Sequence, residues 1–288
     1  KPLDRFFLKP KSDVNIWHTT SQLSVRIPSK PVKLVYTIHD LNFLYSNKPN
    51  WKKQLELKKI QKRIDRADYI TCISNFTLED VKKHLNIQNK KVKVIYNGVT
   101  VPNIDTNTSS FEIPKSKYIL SLGVIASKKN IHTIVPLLKD LNLDWYIVGQ
   151  VIDTNYQEKI IQLAKEHKVS HKIHFTGSVS EEEKYGYLQH CEALVFPSLS
   201  EGFGLPPIEA MRMGKPVFLS KLTSLPEIGG NVGYYFEDFD PESMLRTIQR
   251  GLEDYTTNNR KEAIIDWSIQ FTWEKTTAEY LAVYRELL

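Results

Sequence analysis

The feature that most constrains the fold is a repeated alternation of short apolar runs with helical patterns. In the first hundred residues, apolar runs typical of buried strands lie at 14–18, 33–38, 69–73 and 92–96, with helical patterns at 52–67 and 74–85. Such alternation predicts parallel βαβ units, whose ligands bind beyond the carboxyl ends of the strands. His39 and Ser74 both follow such strand ends.

The same alternation restarts after a polar segment with turn chemistry, within residues 100–117. Six further apolar runs lie at 118–124, 145–148, 172–175, 193–196, 216–219 and 233–236. Helices are predicted among them, including one that follows residue 130 and ends near 141, and a short one at 208–213. We therefore predict two Rossmann-like domains, residues 1–105 and 106–270, after an irregular basic segment at 1–13. The last helix, within 271–288, is predicted to pack back on the first domain.

Composition places the chain among soluble globular proteins, because 41% of its residues are apolar and 25% are charged. No apolar run approaches the roughly 18 residues that a membrane-spanning helix needs, and no signal-peptide pattern is present. Cys72 and Cys191 both lie in apolar runs, so buried reduced thiols are expected. These observations favour a cytoplasmic location.

The net charge of +6 derives largely from lysines on helical patterns such as residues 51–66. Such lysines usually form a solvated helix face. The alternative is attraction to an anionic surface, so peripheral contact with the inner face of a membrane is a second expectation. No basic motif or aromatic stacking series indicates a nucleic-acid partner.

The most informative segment joins the predicted strand 193–196 to the short helix at 208–213. It reads Glu201-Gly202-Phe203-Gly204-Leu205-Pro206-Pro207-Ile208-Glu209. Glycines let a ligand approach the backbone, and the N–H groups at a helix start attract an anion such as phosphate. The two carboxylates can accept hydrogen bonds from sugar hydroxyls. The segment therefore predicts a nucleotide-sugar site.

Less specific interpretations of these residues are also compatible with the sequence. Glu209 could be the third helical residue of a capping box, although a proline N-cap at Pro206 would offer it no N–H. Glu201 could be a solvated loop charge. Asp238 and Asp240 resemble an Asp-x-Asp metal motif, but Asp240 before Pro241 is more typical of a helix N-cap. Neither a dinucleotide G-x-G-x-x-G motif nor a P-loop is present.

With these features, the sequence resembles a retaining glycosyltransferase of the GT-B fold, in the large family-4 (group 1) set. The matching stretches are 201–211, 214–217, 120–123 with 129–130, 175–177, 225–227, the Trp273 helix, 38–41, 74–76 and 97–99. The segment His39-Asp40-Leu41 is similar to that of bacterial mannosyltransferases. The resemblance covers nearly the whole chain and implies two Rossmann-like domains with a cleft between them.

The resemblance also implies a role for single residues. Glu209 is expected to bind the ribose hydroxyls of the nucleotide, and Glu201 a hydroxyl of the donor sugar. Lys129, helped by Lys128, is expected to neutralise the departing diphosphate, because lysines at a helix start oppose the dipole unless they bind an anion. The alternative for both lysines is a solvated helix start. His39 would project from the first domain toward the reacting centre; the alternative is a strand-end histidine bonded locally.

The expected catalytic residues are therefore His39, Glu201 and Lys129. The expected donor-binding residues are Lys128, Lys129, Asn130, Gly177, Val179, Gly202, Phe203, Gly204, Leu205 and Glu209. Main-chain N–H groups of residues 203–205 would hold sugar and phosphate, and residues 177 and 179 would lie near the base. No metal or other cofactor is implied. The expected donor is GDP-mannose or UDP-glucose, and the expected acceptor is a saccharide or a lipid-linked glycan.

The sequence departs from the family pattern in two places. Many members carry an arginine directly after the glycine of the 120–123 stretch, where this chain has Val124. The first half holds about four strands, fewer than the family's first domain, so an N-terminally truncated first domain is expected. An alternative function is therefore a truncated or non-catalytic nucleotide-sugar-binding protein. A phosphorylase or sugar epimerase of the same architecture is a third candidate, but no pyridoxal-binding lysine site is evident.

Overall fold

A computed structural model describes residues 14–23, 27–28, 30–100, 112 and 114–288. By their internal contacts the residues form two units. One is Lys1–Gly98 together with Phe271–Leu288, and the other is Val99–Gln270. The predicted domain boundary between residues 105 and 106 and the predicted irregular segment 1–13 lie outside the described residues.

The described residues contain ten strands and nine α-helices. The strands are β1 Ile16–Thr19, β2 Lys33–Ile38, β3 Tyr69–Cys72, β4 Lys91–Val94, β5 Tyr118–Leu122, β6 Asp144–Val148, β7 Ile173–Gly177, β8 Ala193–Phe196, β9 Val217–Ser220 and β10 Tyr234–Phe236. The helices are α1 Asn50–Arg66, α2 Asn75–His84, α3 Thr154–Glu166, α4 Glu181–His190, α5 Leu205–Arg212, α6 Leu225–Gly229, α7 Pro241–Thr257, α8 Lys261–Ser268 and α9 Trp273–Leu287. Short 3₁₀ helices occupy Asn42–Tyr45, Ser127–Lys129, Ile131–Lys139 and Ser170–Lys172.

The first unit is built on a parallel sheet in the order β1-β2-β3-β4. Side chains alternate along β2, so Leu34 and Tyr36 enter one apolar cluster with residues of α1 and α2. Val35 belongs to a second cluster that contains Val283 of α9. The C-terminal helix therefore covers the sheet face opposite α1 and α2.

Buried and partly buried polar side chains join this second face to α9. The ring nitrogens of His18 lie 2.7 Å from the Tyr284 hydroxyl and 2.7 Å from the Thr37 hydroxyl. The Thr37 hydroxyl lies 2.7 Å from that of Thr71. Because these groups satisfy one another, the sheet can bury them without the cost of unpaired polar atoms.

The second unit is built on a parallel sheet in the order β10-β9-β8-β5-β6-β7. Strand order reverses between β5 and β8, so the loops that follow these two strands leave in opposite directions. In sheets of this kind ligands bind at that switch point, beyond the carboxyl ends of the strands. A buried chain of hydrogen bonds crosses the centre of the sheet: the Trp145 indole donates to the Ser121 hydroxyl, which donates to the Val195 carbonyl, each over 3.0 Å.

The predicted α/β class with two parallel sheets is confirmed, and several local predictions can be compared with the structure. Cys72 and Cys191 are buried free thiols, and burial raises the pKa of each to about 12. The Asp240 carboxylate accepts the N–H of Ser243, so it caps α7 as predicted.

Two predicted helices differ from the structure. The segment after residue 130 is a 3₁₀ helix rather than an α-helix, and Pro136 inside it removes one backbone donor. The helix predicted at 208–213 begins earlier, at Leu205, with Gly204 as N-cap. Prolines fit this first turn because those positions need no N–H partner.

Candidate functional site

The loops that follow β5 and β8 meet at the switch point of the second sheet. The Leu199 N–H donates to the Lys128 carbonyl over 2.8 Å, so the two loops are joined through the backbone. A small cavity lies between them, with about 10 Å³ of accessible space, lined by Ser121, Leu122, Gly123, Val124, Lys129, Ile131, Ile147, Phe196 and Ser198. That space holds about one water molecule.

Lys129 and Glu201 form an ion pair across these two loops. The Lys129 ammonium lies 2.7 Å from Oε1 of Glu201 and 4.6 Å from the centre of the Phe196 ring. Only 12% and 13% of the two side chains are exposed. The alternatives of a solvated loop charge for Glu201 and a solvated helix start for Lys129 are therefore wrong. Lys128 has an exposed side chain.

Asn130 occupies an unusual backbone position directly after this lysine. Its φ of 55° lies in the left-handed region, which asparagine tolerates better than most residues. The residue is buried, and its Nδ2 has no hydrogen-bond partner among the described residues. The buried hydroxyl of Ser198, at the end of β8, likewise lacks a partner within the part of the chain that the structure describes. Buried polar atoms are rarely left unpaired unless a ligand or water completes them.

The glycine loop enters α5 through a conformation that suits glycine. Gly204 has φ 126°, and a Cβ there would lie 3.1 Å from Cδ2 of Leu225. Of the first three residues of α5, two are prolines that carry no N–H. The N–H groups of Gly204 and Leu205 have no acceptor among the described residues. These two donors, at the positive end of a helix dipole, are suited to an anion.

Two side chains that directly precede α6 form hydrogen bonds with the backbone of the same loop. The Glu201 N–H donates to the Thr223 hydroxyl over 3.1 Å, and the Ser224 hydroxyl donates to the Phe203 carbonyl over 2.5 Å. Thr223 itself has φ 58°, a strained value for a β-branched residue. Sequence reasoning missed both residues, because neither carries a charge and nothing local distinguishes them from an ordinary turn.

Glu209 lies in the second turn of α5 and is 14% exposed. Its position as the fifth helical residue excludes the capping-box alternative, which required the third. The Lys184 ammonium, in the first turns of α4, lies 3.0 Å from its Oε1. Lys184 was also missed, because a lysine that follows three glutamates at a helix start is typical of a solvated surface.

Gly177 and Val179 lie at the carboxyl end of β7, an edge strand of the second sheet. Gly177 ends β7 with φ 71°, and its carbonyl accepts the N–H of Gly149. No atom lies within 4 Å of the place where a Cβ of Gly177 would stand. Val179 is half-buried and precedes Ser180, the N-cap of α4. The structure therefore places these two residues between the end of β7 and the N-cap of α4, the helix that carries Lys184.

His39 belongs to the first unit, directly after β2. Its Nε2 donates to the Thr20 carbonyl over 2.6 Å, and its own N–H donates to Oε1 of Gln22 over 3.0 Å. The Thr77 hydroxyl donates to its carbonyl over 3.0 Å. The histidine is therefore bonded locally at the carboxyl edge of its sheet, through groups on three segments of the first unit.

Comparison with protein families assigns both halves of the chain. Residues 103–266 match the family described as glycosyl transferases group 1, and residues 3–101 match the one described as Glycosyltransferase Family 4. The chain belongs to the group 1 glycosyltransferases. Within this glycosyltransferase, residues 103–266 include the Lys129–Glu201 and Lys184–Glu209 pairs.

Relatives with curated names include bacterial mannosyltransferases. The chain is 29% identical over 286 residues to the serotype-specific mannosyltransferase WbdA of Escherichia coli, covering 92% of this chain and 35% of WbdA. It is 28% identical to the O-antigen chain mannosyltransferase RfbU of Salmonella typhimurium, covering 74% of this chain and 59% of RfbU. This glycosyltransferase therefore resembles the bacterial mannosyltransferase type, and it spans about a third of the length of WbdA.

Solved structures show the same two-domain GT-B architecture. Sucrose-phosphate synthase from Thermosynechococcus elongatus superposes with a TM-score of 0.79 at 20% identity, covering 95% of this chain and 73% of that one. Anabaena Alr3699/HepE in complex with UDP and glucose superposes with a TM-score of 0.71 at 19% identity, covering 88% and 72%. At these identities the likeness establishes the fold.

The described residues contain neither a candidate membrane span nor a candidate metal cluster. Within 14–23, 27–28, 30–100, 112 and 114–288, no helix is long and apolar enough to cross a bilayer. In the same residues, no group of three or more His, Cys, Asp and Glu side chains is arranged to hold a metal ion.

Proposed function

We propose that this glycosyltransferase transfers a hexose, mannose or glucose, from a nucleoside diphosphate sugar to a saccharide or lipid-linked glycan, with retention at the anomeric carbon. The observation that carries the proposal is the Lys129–Glu201 pair at the switch point of the donor-side sheet. The Lys129 ammonium, proposed to bind the diphosphate, and the Glu201 carboxylate, proposed to bind sugar hydroxyls, are within one hydrogen bond of each other.

The diphosphate is proposed to bind between Lys129 and the start of α5. When the bond between the anomeric carbon and the diphosphate oxygen breaks, negative charge grows on the leaving oxygens. A fixed ammonium and the unpaired N–H groups of Gly204 and Leu205 stabilise that charge, as preorganised donors do elsewhere. We propose that these groups, with Lys128 from the solvent side, carry this role without a metal ion. The unpaired Nδ2 of Asn130 supports a ligand at this position.

The sugar and the ribose are proposed to bind the two glutamates separately. Glu201 has its Oε1 on Lys129, which leaves its second oxygen for a hydroxyl of the donor sugar. Glu209 would accept from the ribose hydroxyls, with the base near Gly177 and Val179. The sugar would become oxocarbenium-like as it transfers. Both same-face attack by the acceptor and a covalent intermediate are compatible with retention.

The proposals for the donor and for the acceptor side rest on the relatives of the chain and on the place of His39. GDP-mannose is favoured by the mannosyltransferase relatives, and UDP-glucose is the second candidate. His39, at the carboxyl edge of the first sheet, would act on the acceptor side. Transfer to a glycan precursor would place the protein in the cytoplasm at the inner face of a membrane.

Peripheral membrane contact would use the start of α1. Trp51 and Leu55 are 65% and 47% exposed there, and the Lys52 ammonium lies 5.2 Å from the Trp51 ring centre. Exposed apolar side chains among lysines favour an anionic bilayer. Sedimentation with phosphatidylglycerol vesicles should retain the protein, and Trp51→Ala should weaken retention. Equal retention by phosphatidylcholine vesicles would contradict an electrostatic contact.

Calorimetric titration with GDP-mannose, UDP-glucose, GDP and UDP tests the donor site. We expect one nucleotide class to bind, and Glu209→Ala to weaken it roughly ten- to a hundred-fold, since charged hydrogen bonds contribute about 1.5–3 kcal/mol. Lys221→Met, which removes a surface pair with Glu237, is the control and should bind normally. Absence of binding by every nucleotide would overturn the proposal. Binding without glycan product from any acceptor would favour the non-catalytic alternative.

A further inference from the structure

The carboxylate of Glu209 is engaged at only one of its two oxygens. Its Oε1 lies 3.0 Å from the Lys184 ammonium and 3.4 Å from the Tyr185 hydroxyl. Its Oε2 has no hydrogen-bond partner among the described residues. The Tyr185 hydroxyl donates at shorter range, 2.8 Å, to the carbonyl of Thr100. Lys184 is therefore the group that fixes the orientation of this carboxylate.

Lys184 is itself held from several sides. Its ammonium lies 2.8 Å from Oε2 of Glu181 and 4.4 Å from the centre of the Tyr185 ring. A capping box between Ser180 and Glu183 fixes the start of α4. Only 16% of the Lys184 side chain is exposed. The lysine thus stands at a defined place rather than sampling solvent.

The charge on Lys184 persists at neutral pH. Burial acts to lower the pKa of its ammonium, but hydrogen bonding to Glu181 and the charge of Glu209 outweigh burial, so the pKa is raised. A neutral amine would leave the Glu209 carboxylate, which is only 14% exposed, without a balancing charge.

We propose that Lys184 is a positioning residue that holds Oε1 of Glu209 so that Oε2 faces the ribose of the nucleotide. This inference rests on the proposed function and extends it to a residue outside the expected donor-binding set. A glutamate side chain loses rotamer freedom when it binds a ligand, and prior restraint removes that cost. Lys184 supplies the restraint before the nucleotide arrives.

The loss of nucleotide affinity on removal of Lys184 distinguishes a positioning role from a merely structural one, when ligands with and without ribose hydroxyls are compared. If Lys184 acts through Glu209, its removal should matter only when the ligand carries ribose hydroxyls. If it acts by general charge attraction to the diphosphate, its removal should weaken ribose and deoxyribose nucleotides alike. A double-mutant cycle distinguishes the two cases. One change is the Lys184 variant, and the other is the removal of the ribose hydroxyls from the ligand.

The experiment measures binding of GDP or UDP, whichever the wild-type chain binds, and of its 2′,3′-dideoxy analogue. For Lys184→Met we expect about 3- to 10-fold weaker binding of the ribose nucleotide, the range for one immobilised side chain. We expect no change for the dideoxy analogue, recovery by Lys184→Arg, and no further loss when Lys184→Met is added to Glu209→Ala. In steady-state transfer the variant should raise the donor KM with kcat nearly unchanged.

Lys82→Met is the matched control, because Lys82 forms an exposed pair with Glu79 on α2 at 2.7 Å. An equal loss for both ligands, tighter binding by Lys184→Met, or additive effects with Glu209→Ala would each overturn the proposal. If the wild-type chain binds no nucleotide, the proposed function fails instead. Circular dichroism confirms that each variant is folded before it is titrated.

Discussion

The Lys129 ammonium lies 2.7 Å from Oε1 of Glu201, a residue 72 positions later in the chain. The two side chains lie on the loops that follow β5 and β8, the strands between which the order of the second sheet reverses. In the Lys129–Glu201 and Lys184–Glu209 pairs, the lysine ammonium lies within hydrogen-bond distance of Oε1 of a glutamate from the 201–209 segment. The charges of these four side chains are thus balanced within the two pairs.

Removal of one partner of the Lys129–Glu201 pair should destabilise the protein. Lys129→Met leaves a carboxylate, and Glu201→Gln leaves an ammonium, in surroundings where both are nearly buried. Such uncompensated charges cost about 3–5 kcal/mol. Each single variant should therefore unfold at lower denaturant concentration than wild type.

The double variant Lys129→Met/Glu201→Gln separates stability from binding. With both charges gone, stability should return to within about 1 kcal/mol of wild type, as for other buried pairs replaced together. Nucleotide-sugar binding should stay weak, because the diphosphate has lost its ammonium. Recovery of binding along with stability would show that the pair serves the fold alone.

Asn130→Gly tests whether the asparagine is present for its side chain or for its backbone. Glycine adopts the left-handed φ of 55° freely, so the local backbone should survive. The lost side chain has no hydrogen bond at Nδ2, so stability should change by no more than about 1 kcal/mol. The affinity for the nucleotide-sugar should fall, because the side-chain amide proposed to contact it has been removed.

Asn89→Gly provides the control for this substitution. Asn89 also has positive φ, 64°, but its side chain is exposed in the first unit. Denaturation and donor titration of both variants should show similar stability changes and a loss of affinity in Asn130→Gly alone. Equal donor affinity in the two variants would remove Asn130 from the donor site.

Sequence patterns predicted the strands well for a physical reason. Strands of parallel sheets are buried on both faces, so they appear as continuous apolar runs that polar loops interrupt. The predicted strand 193–196 coincides with β8, and 33–38 coincides with β2. Helices whose starts or middles carry proline were predicted less well. The α5 start at Leu205 and the 3₁₀ form of Ile131–Lys139 depend on hydrogen-bond details that a pattern does not carry.

The candidate site was predictable only where one short segment carries its chemistry. The 201–209 segment could be interpreted locally, because glycines, carboxylates and a helix start lie together in sequence. The partners of its glutamates could not be predicted from physical pattern alone. Lys184 contacts Glu209 because α4 and α5 pack side by side. The two residues are 25 positions apart in the sequence, and that separation does not predict the contact.

Gly98→Ala should loosen α9 from the first unit. A Cβ at Gly98 would lie 2.3 Å from the backbone nitrogen of Trp273, at the start of that helix, where backbone atoms cannot move aside easily. We expect a loss of a few kcal/mol in unfolding free energy, as for other overpacked sites. Limited proteolysis should release the C-terminal helix faster than in wild type.

Gly177→Ala is the matched comparison for that variant. Its φ of 71° strains an alanine, but a Cβ there meets no atom within 4 Å. The expected cost is the backbone strain alone, about 1 kcal/mol. If Gly177→Ala proves more destabilising than Gly98→Ala, close contact with the start of α9 is not the reason for a glycine at position 98.

Stability should fall in mild acid because of His18. Burial lowers the pKa of this histidine from 6.5 to about 4, so the folded chain keeps it neutral while the unfolded chain protonates it. The contribution of neutral His18 is complete above pH 6.5 and is lost as pH falls from 6.5 to about 4. At 1.36 kcal/mol for each pKa unit, the loss has an upper bound of about 3 kcal/mol, and partial exposure of the ring reduces it.

The measurement compares urea unfolding of wild type and His18→Gln at several pH values between 4 and 7. Glutamine can bond to the Tyr284 and Thr37 hydroxyls but does not titrate, so His18→Gln should be less stable at pH 7 and lose less stability on acidification. The difference between the two free energies should therefore narrow as pH falls. Because carboxylates titrate in both proteins, their contribution cancels in this difference. A difference that stays constant over the range would show that the histidine remains accessible to protons in the folded chain.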